Sequence, residues 1–260
     1  MIHLNIDGNI ATVVLDRPPV NAIDDTWVTD FDQILTRVKN KKEVSVLHLR
    51  SAGKVFCAGA DLALMRESIE TPEGCQIMVE LIRRYQQVLK RLQAIDVVTV
   101  AEIGGAALGG GYELTLACDL RIASRSAKIG LPEVGLGLIP GAGGTQRLTR
   151  ICGEAVARRI ILGAEVVSGD ETAKLGLAHW VLADAELESW TLALVERLAR
   201  LPRQAVAACK RCIEAFDDAS LDGFERELQE TLGLYNDSDT RQRVLAFLRR
   251  NTEASQKLIH

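Results

Sequence analysis

Two glutamates carry the residue types and surroundings needed to move protons. Glu113 lies in GGGYELTL, beside Tyr112, Leu114 and Leu116; Glu133 lies in GLPEVG, between Pro132 and Val134. Burial disfavours the charged form of a carboxyl and lifts its pKa toward the range useful for proton transfer. Glycines crowd the chain around both acids: Gly104, Gly105, Gly109, Gly110 and Gly111 before the first, and Gly135, Gly137, Gly141, Gly143 and Gly144 after the second. The first run opens into a helix starting near Gly111. Unpaired amides at such a start carry partial positive charge and hold a developing anion. A further turn, SAGKVFCAGAD over 51–61, offers outward amides near Ala60, with Gly59 allowing a tight bend and Asp61 as N-cap of LALMRES. Taken alone, a glutamate is more often a surface acid or an ion-pair partner, and 51–61 reads as a plain strand-to-helix turn. Two acids near two amide sites shift the reading toward proton transfer beside a stabilised anion.

Nucleotide chemistry fits these glycines poorly. Gly104 and Gly109 have the spacing of a phosphate loop, but Gly110 follows where that loop needs lysine. No G-x-G-x-x-G runs through 104–111, which weakens a dinucleotide fold. Cys209 and Cys212 form a CxxC inside a basic helical pattern, and the four histidines are scattered singly, so no metal site is expected.

The elements that must position the acids alternate between strand and helix. Residues 2–7 and 10–16 read as a hairpin turned at Asp7-Gly8-Asn9, and Pro18 and Pro19 end it. Asp24 or Asp25 caps a helix to about Lys41, and Val44–Leu49 is a buried strand. Pro72 opens a helix through Leu92 whose inner stripe is Ile77, Leu81, Val88 and Leu92. Val97–Val100 is the strand feeding the glycine turn, and the helix over 111–118 is apolar on almost every side. Short strands follow at 120–123 and 128–130. Helices are expected near 146–151, 153–163, 168–175 (capped by Ser168, with Glu171 closing a capping box) and 184–200, with a short strand at 179–182. From 203 the pattern is helical throughout: 203–217, 220–234 and 237–250. The change from mixed strands to pure helix near 190–200 is the boundary that the sequence offers.

The chain has 260 residues, enough to bury a sizeable core. Its net charge of -4 gives no basic footprint for nucleic acid, and no run of eighteen apolar residues suggests a membrane span. The N-terminus alternates like a strand and lacks a signal-peptide pattern; with six cysteines in largely apolar segments, a reducing cytoplasm is the expected location.

Four segments together resemble the enoyl-CoA hydratase/isomerase, or crotonase, family. They are FCAGADL at 56–62, GAALGGGYELTLACDLRIA at 105–123, GLPEVGLGLIPGAGGTQRL at 130–148 and LGL at 175–177. The resemblance implies an α/β fold, a spiral of ββα repeats over 1–198 carrying the active site. A C-terminal helical region over 199–260 would pack a homotrimer or a dimer of trimers. It implies an acyl-CoA thioester substrate, coenzyme A being part of that substrate, with no other cofactor. The family's oxyanion hole falls on the backbone amides of Ala60 and Gly110, and its acids on Glu113 and Glu133. Substrate contacts fall on Ala58, Gly59, Ala60, Asp61, Leu62, Gly109, Gly110, Pro132 and Gly141. An acid at both positions is the hydratase pattern; a Δ3,Δ2-isomerase or another lyase of the family is the alternative, and an RNA-binding relative the rival from a different class. The chain departs from the family at RPPVNAI, at Ala63 in place of a common lysine, and at its FLRRNTEAS ending. Arg66 or a C-terminal basic residue is the substitute candidate for the coenzyme's phosphates.

Overall fold

Alternating apolar residues at the N-terminus pair as an antiparallel hairpin, β1 (Ile2–Asp7) and β2 (Ile10–Leu15). Asp24 then caps α1 (Asp25–Asn40), its carboxylate accepting from the Trp27 amide. The next stretch repeats one pattern three times. It runs β3 (Val46–Ser51), β4 (Val55–Cys57), α2 (Leu62–Ser68) and α3 (Pro72–Gln93); then β5 (Val98–Ile103), β6 (Ala106–Leu108) and α4 (Gly110–Leu116); then β7 (Leu120–Ser124), β8 (Lys128–Gly130), a 3-10 turn over Glu133–Leu136 and α5 (Gly144–Leu162). The chain continues through β9 (Val166–Ser168), α6 (Gly169–Leu175), β10 (Trp180–Leu182) and α7 (Leu187–Ala199), then α8 (Arg203–Ala215), α9 (Gly223–Asn236) and α10 (Ser238–Lys257). This computed structural model describes residues 1–216 and 220–257, and side chains as far as Arg249.

Each repeat places its first strand in one sheet and its second strand in another. The six-stranded sheet has the order β1-β2-β3-β5-β7-β10, and the four-stranded sheet β4-β6-β8-β9. Strands β3, β5 and β7 run parallel, as do β4, β6 and β8, so the repeats stack as successive turns of a spiral. β5 is buried at every position, as expected for a parallel strand covered on both faces. The fold is therefore the crotonase-type ββα spiral. The chain divides into two compact units, Met1–Arg200 and a second beginning at Leu201. In the second unit α9 packs against α8 and α10; Asp222 caps α9, and Arg211 pairs with Glu230 at 2.6 Å. Position 217 of the expected 203–217 helix lies outside the described residues.

Two local expectations fail. Ile77 is 65% exposed and does not belong to the inner stripe of α3, which runs through Leu81, Tyr85, Val88, Leu89 and Leu92. The first turns of α3 lie against α2, where Gly74 approaches the Ser68 backbone so closely that a Cβ would stand 2.4 Å from its carbonyl oxygen. The period was right, but its first apolar position lies before the helix reaches the core. The capping box at Ser168 also does not form. The Ser168 side chain makes no cap bond, and Glu171 pairs instead with Lys174 and Arg159.

The spiral needs near contact between successive turns. Gly105 sits where an added Cβ would lie 1.8 Å from the Lys54 carbonyl oxygen, just before β4. Gly105→Ala is expected to destabilise the fold by about 1–3 kcal/mol, as overpacking does. Urea unfolding followed by circular dichroism checks this; an unchanged midpoint would show that the turns are not in contact there.

Candidate active site

Strands β4, β6 and β8 run parallel side by side, so their C-terminal ends lie at one edge. The residues that leave those ends are Ala58–Ala60, Gly109–Gly110 and Leu131–Glu133. Parallel sheets bind ligands outside their carboxyl edges. Here the three exits line one cavity of about 630 Å³. Ala58, Gly59, Ala60, Leu62, Gly109, Gly110, Glu113, Pro132, Glu133 and Gly141 all border it. Asp61 does not. Its carboxylate caps α2 through the Ala63 and Leu64 amides and accepts from Arg17 at 3.1 Å, and these partners hold it below the usual carboxylate range despite partial desolvation.

The two amide sites meet by direct backbone contact. Gly59 has φ +96°, and a Cβ there would stand 3.0 Å from the Leu108 oxygen and 3.1 Å from the Gly110 nitrogen. Gly109 has φ +52°, and a Cβ there would stand 3.1 Å from Oε1 of Glu133. Both positions therefore require glycine for conformation and for space. The Ile23 strand edge uses the Gly59 carbonyl and the Asp61 amide on either side of Ala60, so the Ala60 N–H faces away from it. The α4 ladder begins with the Tyr112 and Glu113 amides donating to the Gly109 carbonyl, leaving the Gly110 N–H outside it.

Glu113 is almost fully buried on α4. Its Oε1 accepts from the amides of Ala142 and Gly144, both at 2.7 Å. Desolvation outweighs these bonds and pushes its pKa up to about 7; the nearby Glu133 charge adds to the rise, and Arg147 opposes it. Glu133 opens the 3-10 turn. Its Oε2 is buried without a hydrogen-bond partner among the described residues, and burial likewise raises its pKa. Two acids thus face one cavity, and burial raises the pKa of each above the ordinary carboxylate value.

The remaining wall is apolar. Met65, Met78, Ile82, Leu136 and Ile139 contribute to it, and among the described residues no basic side chain borders the cavity. Sequence reasoning missed these, and also missed Tyr85, whose hydroxyl donates to the Gly110 carbonyl at 2.8 Å. Tyr85 read as one more helix position, since its partner is a backbone atom in a distant turn. Arg66, the candidate for the coenzyme's phosphates, is exposed in the last turn of α2, the helix that also supplies Leu62 and Met65 to the wall. The C-terminal basic candidates from Arg250 onward lie outside the described side chains.

Fold and cavity together define a ββα-spiral protein with two buried acids and two glycine-bounded backbone amides at one cavity. Comparison with known proteins narrows that class. Residues 5–254 match the model of the family described as enoyl-CoA hydratase/isomerase. The chain is 32% identical over 250 residues to a short-chain-enoyl-CoA hydratase of Clostridium acetobutylicum, covering 95% of this chain and 94% of that one. It is 32% identical over the same length to a crotonyl-CoA hydratase of Syntrophomonas wolfei, with the same coverage. A crystal structure of an enoyl-CoA hydratase from Bacillus anthracis superposes with a TM-score of 0.88 at 30% identity, covering 96% of each chain. The chain belongs to the enoyl-CoA hydratase/isomerase family.

The raised pKa of Glu113 has a stability signature. Its carboxyl rises from an ordinary 4.5 to about 7 on folding, so between those values the folded state holds the extra proton. Stability linked to this group is full below pH 4.5 and is lost as pH climbs through 7. Glu113→Gln keeps an acceptor for both amides and removes the titration. Its stability relative to the parent should therefore rise between pH 5 and pH 8, by on the order of 2–3 kcal/mol. Urea unfolding at the two pH values measures this; a pH-independent difference would contradict it.

Proposed function

We propose that the protein is an enoyl-CoA hydratase. It adds water across the 2,3 double bond of a trans-2-enoyl-CoA to give the 3-hydroxyacyl-CoA, as in fatty-acid β-oxidation. The observation that supports this most is the placement of both acids and both candidate amides on one apolar cavity. The thioester carbonyl rests against the Ala60 and Gly110 amides, which polarise it and stabilise the enolate that forms; such donors are usually the largest catalytic contribution. Glu113 takes a proton from the water that attacks C3, Glu133 delivers a proton to C2, and passage of a proton from Glu113 back to Glu133 restores both acids for the next turnover. The bond to water forms as the double-bond electrons pass into the enolate, and reprotonation at C2 returns the carbonyl. The Glu133 charge acts on Glu113, so the titration of one carboxyl depends on the state of the other.

This chemistry needs carbonyl polarisation and proton transfer, both of which the chain supplies; coenzyme A enters as part of the substrate, and the proposal invokes no metal or redox partner. An apolar wall without a lysine, arginine or histidine suits an uncharged hydrocarbon acyl group, since a carboxylate on that chain would be buried unpaired. The presence of a second acid at Glu113 favours hydration over double-bond migration, which needs only carbon proton transfer. The net charge of -4 gives no support to RNA binding. A cytoplasmic enzyme is the setting we propose.

Adding the protein to crotonyl-CoA should abolish the ultraviolet band of the conjugated thioester. Glu113→Gln and Glu133→Gln, each folded by circular dichroism, should slow that loss by about 10²–10⁴-fold. Hydration at the parental rate by Glu113→Gln would overturn the two-acid reading.

We also propose that the helical region packs copies of the chain together as a trimer or a dimer of trimers. Phe224, Leu228, Leu232 and Tyr235 expose a large apolar stripe along α9 at helical spacing. Leu228→Asp with Leu232→Asp should reduce the sedimenting mass to that of one chain. A parent protein that already sediments as a monomer would contradict this.

A further inference from the structure

Glu113 is fixed by two backbone amides, and those amides belong to a glycine-rich turn with little side-chain substance of its own. What holds that turn is α3 and the first turn of α5. Gln86 donates through Nε2 to the Gly141 carbonyl at 2.5 Å. Arg147 donates through Nη1 to the Ala142 carbonyl at 2.9 Å, and through Nε to Oε1 of Gln93 at 3.0 Å. Its guanidinium tucks beneath Gly143, where a Cβ would stand 2.4 Å from Nη1. Arg147 is half-buried, and among the described residues no carboxylate lies within ion-pairing distance of it. A desolvated guanidinium held by neutral oxygens is an unusual arrangement, because such a charge normally recruits an acid. The nearest consequence of its field is at Glu113, across the turn that it supports.

We propose that Arg147 is the positioning residue of Glu113: it seats the Ala142–Gly144 amides on the carboxylate and sets the charge that faces it. The proposal deepens the hydratase reading and rests on it for the consequence in turnover, while its structural part is testable without any substrate. The groups facing Glu113 are Glu133 from the 3-10 turn, Tyr85 from α3 and Arg147 from α5; Cys118 and Arg150 face Arg147 in turn. Of the groups facing Glu113, Arg147 alone is cationic, so it opposes both the burial of the carboxyl and the neighbouring Glu133 charge. The unpaired state of Arg147 is then functional. A carboxylate partner in place of Gln93 would hold the arginine as firmly and would cancel its field at Glu113.

The test is the titration midpoint of Glu113, read from carboxyl 13C NMR and assigned by loss of its signal in Glu113→Gln. Arg147→Gln should raise the midpoint by about 0.5–1 pH unit, less than loss of a directly paired charge gives, since Arg147 acts from across the turn. Gln93→Glu, which leaves Arg147 in place but pairs it, should also raise it. Arg147→Lys keeps the charge and loses the fork, so the midpoint should stay within about half a unit while hydration turnover falls at unchanged KM. An unmoved midpoint in folded Arg147→Gln, or in folded Gln93→Glu should the first variant fail to fold, would overturn the proposal. A moved midpoint without any loss of crotonyl-CoA hydration would overturn the consequence claimed for turnover, whereas a parent protein that leaves crotonyl-CoA unchanged would contradict the hydratase reading and leave the titration test standing.

Discussion

A carboxylate taken out of water must be compensated where it stands, and the burial of Glu113 organises much of this molecule. Two amides at 2.7 Å offset part of its desolvation. They exist only because the chain between Pro140 and Gly144 turns back over α4. Gly144 can approach only as glycine, since a Cβ there would crowd both Pro140 and the Glu113 oxygen. α4 itself reaches this depth because Gly111 lies against the Cys57 carbonyl, where a Cβ would stand 2.1 Å away. The compensation remains incomplete, which leaves the acid near pH 7 rather than in the carboxylate range. An acid so placed is poorly suited to stability and well suited to exchanging protons.

The spiral explains why one site draws on residues 23 to 73 positions apart. Each repeat contributes one short strand to the four-stranded sheet, and each such strand ends at the same edge. Ala60, Gly110 and Glu133 are therefore neighbours through the register of β4, β6 and β8 rather than through any local motif. The longer strands and the helices outside them supply the apolar core that makes this edge rigid. The cavity inherits an apolar wall from α2 and α3, and such low-polarity surroundings strengthen every dipole aimed into it.

Much of the site was legible in the sequence because it uses residue types that are out of place. Each glutamate within GYELTL or LPEVG reads alone as a surface acid; two of them beside clustered glycines mark Glu113, Glu133, Gly109 and Gly110 as candidates, and the family resemblance supplies their roles. The hairpin, the cap at Asp24, the helix from Pro72 and the cap at Asp61 followed from local turn and capping chemistry. The strands β4, β6 and β9 were not found. Each has three residues, too few for a period-2 pattern to show. The supporting side chains were also invisible: Tyr85 and Gln86 bind carbonyl oxygens in distant turns and Arg147 joins the Ala142 carbonyl to Gln93 of α3, and ordinary helix sequence carries no mark of that. Ile77 and Ser168 show the reverse failure. There the local pattern was present, and the packing of α3 on α2 and the pairing of Glu171 with Lys174 and Arg159 overrode it.

The central claim is that two fixed acids in one apolar-walled cavity serve the two carbons of one double bond. The direct measurement is NMR and mass spectrometry of the product formed from crotonyl-CoA in heavy water. The account predicts a 3-hydroxybutyryl thioester with one deuterium at C2, present as a single diastereomer because Glu133 protonates from one fixed side. An equal mixture of C2 diastereomers, or a product that has gained no water, would contradict it.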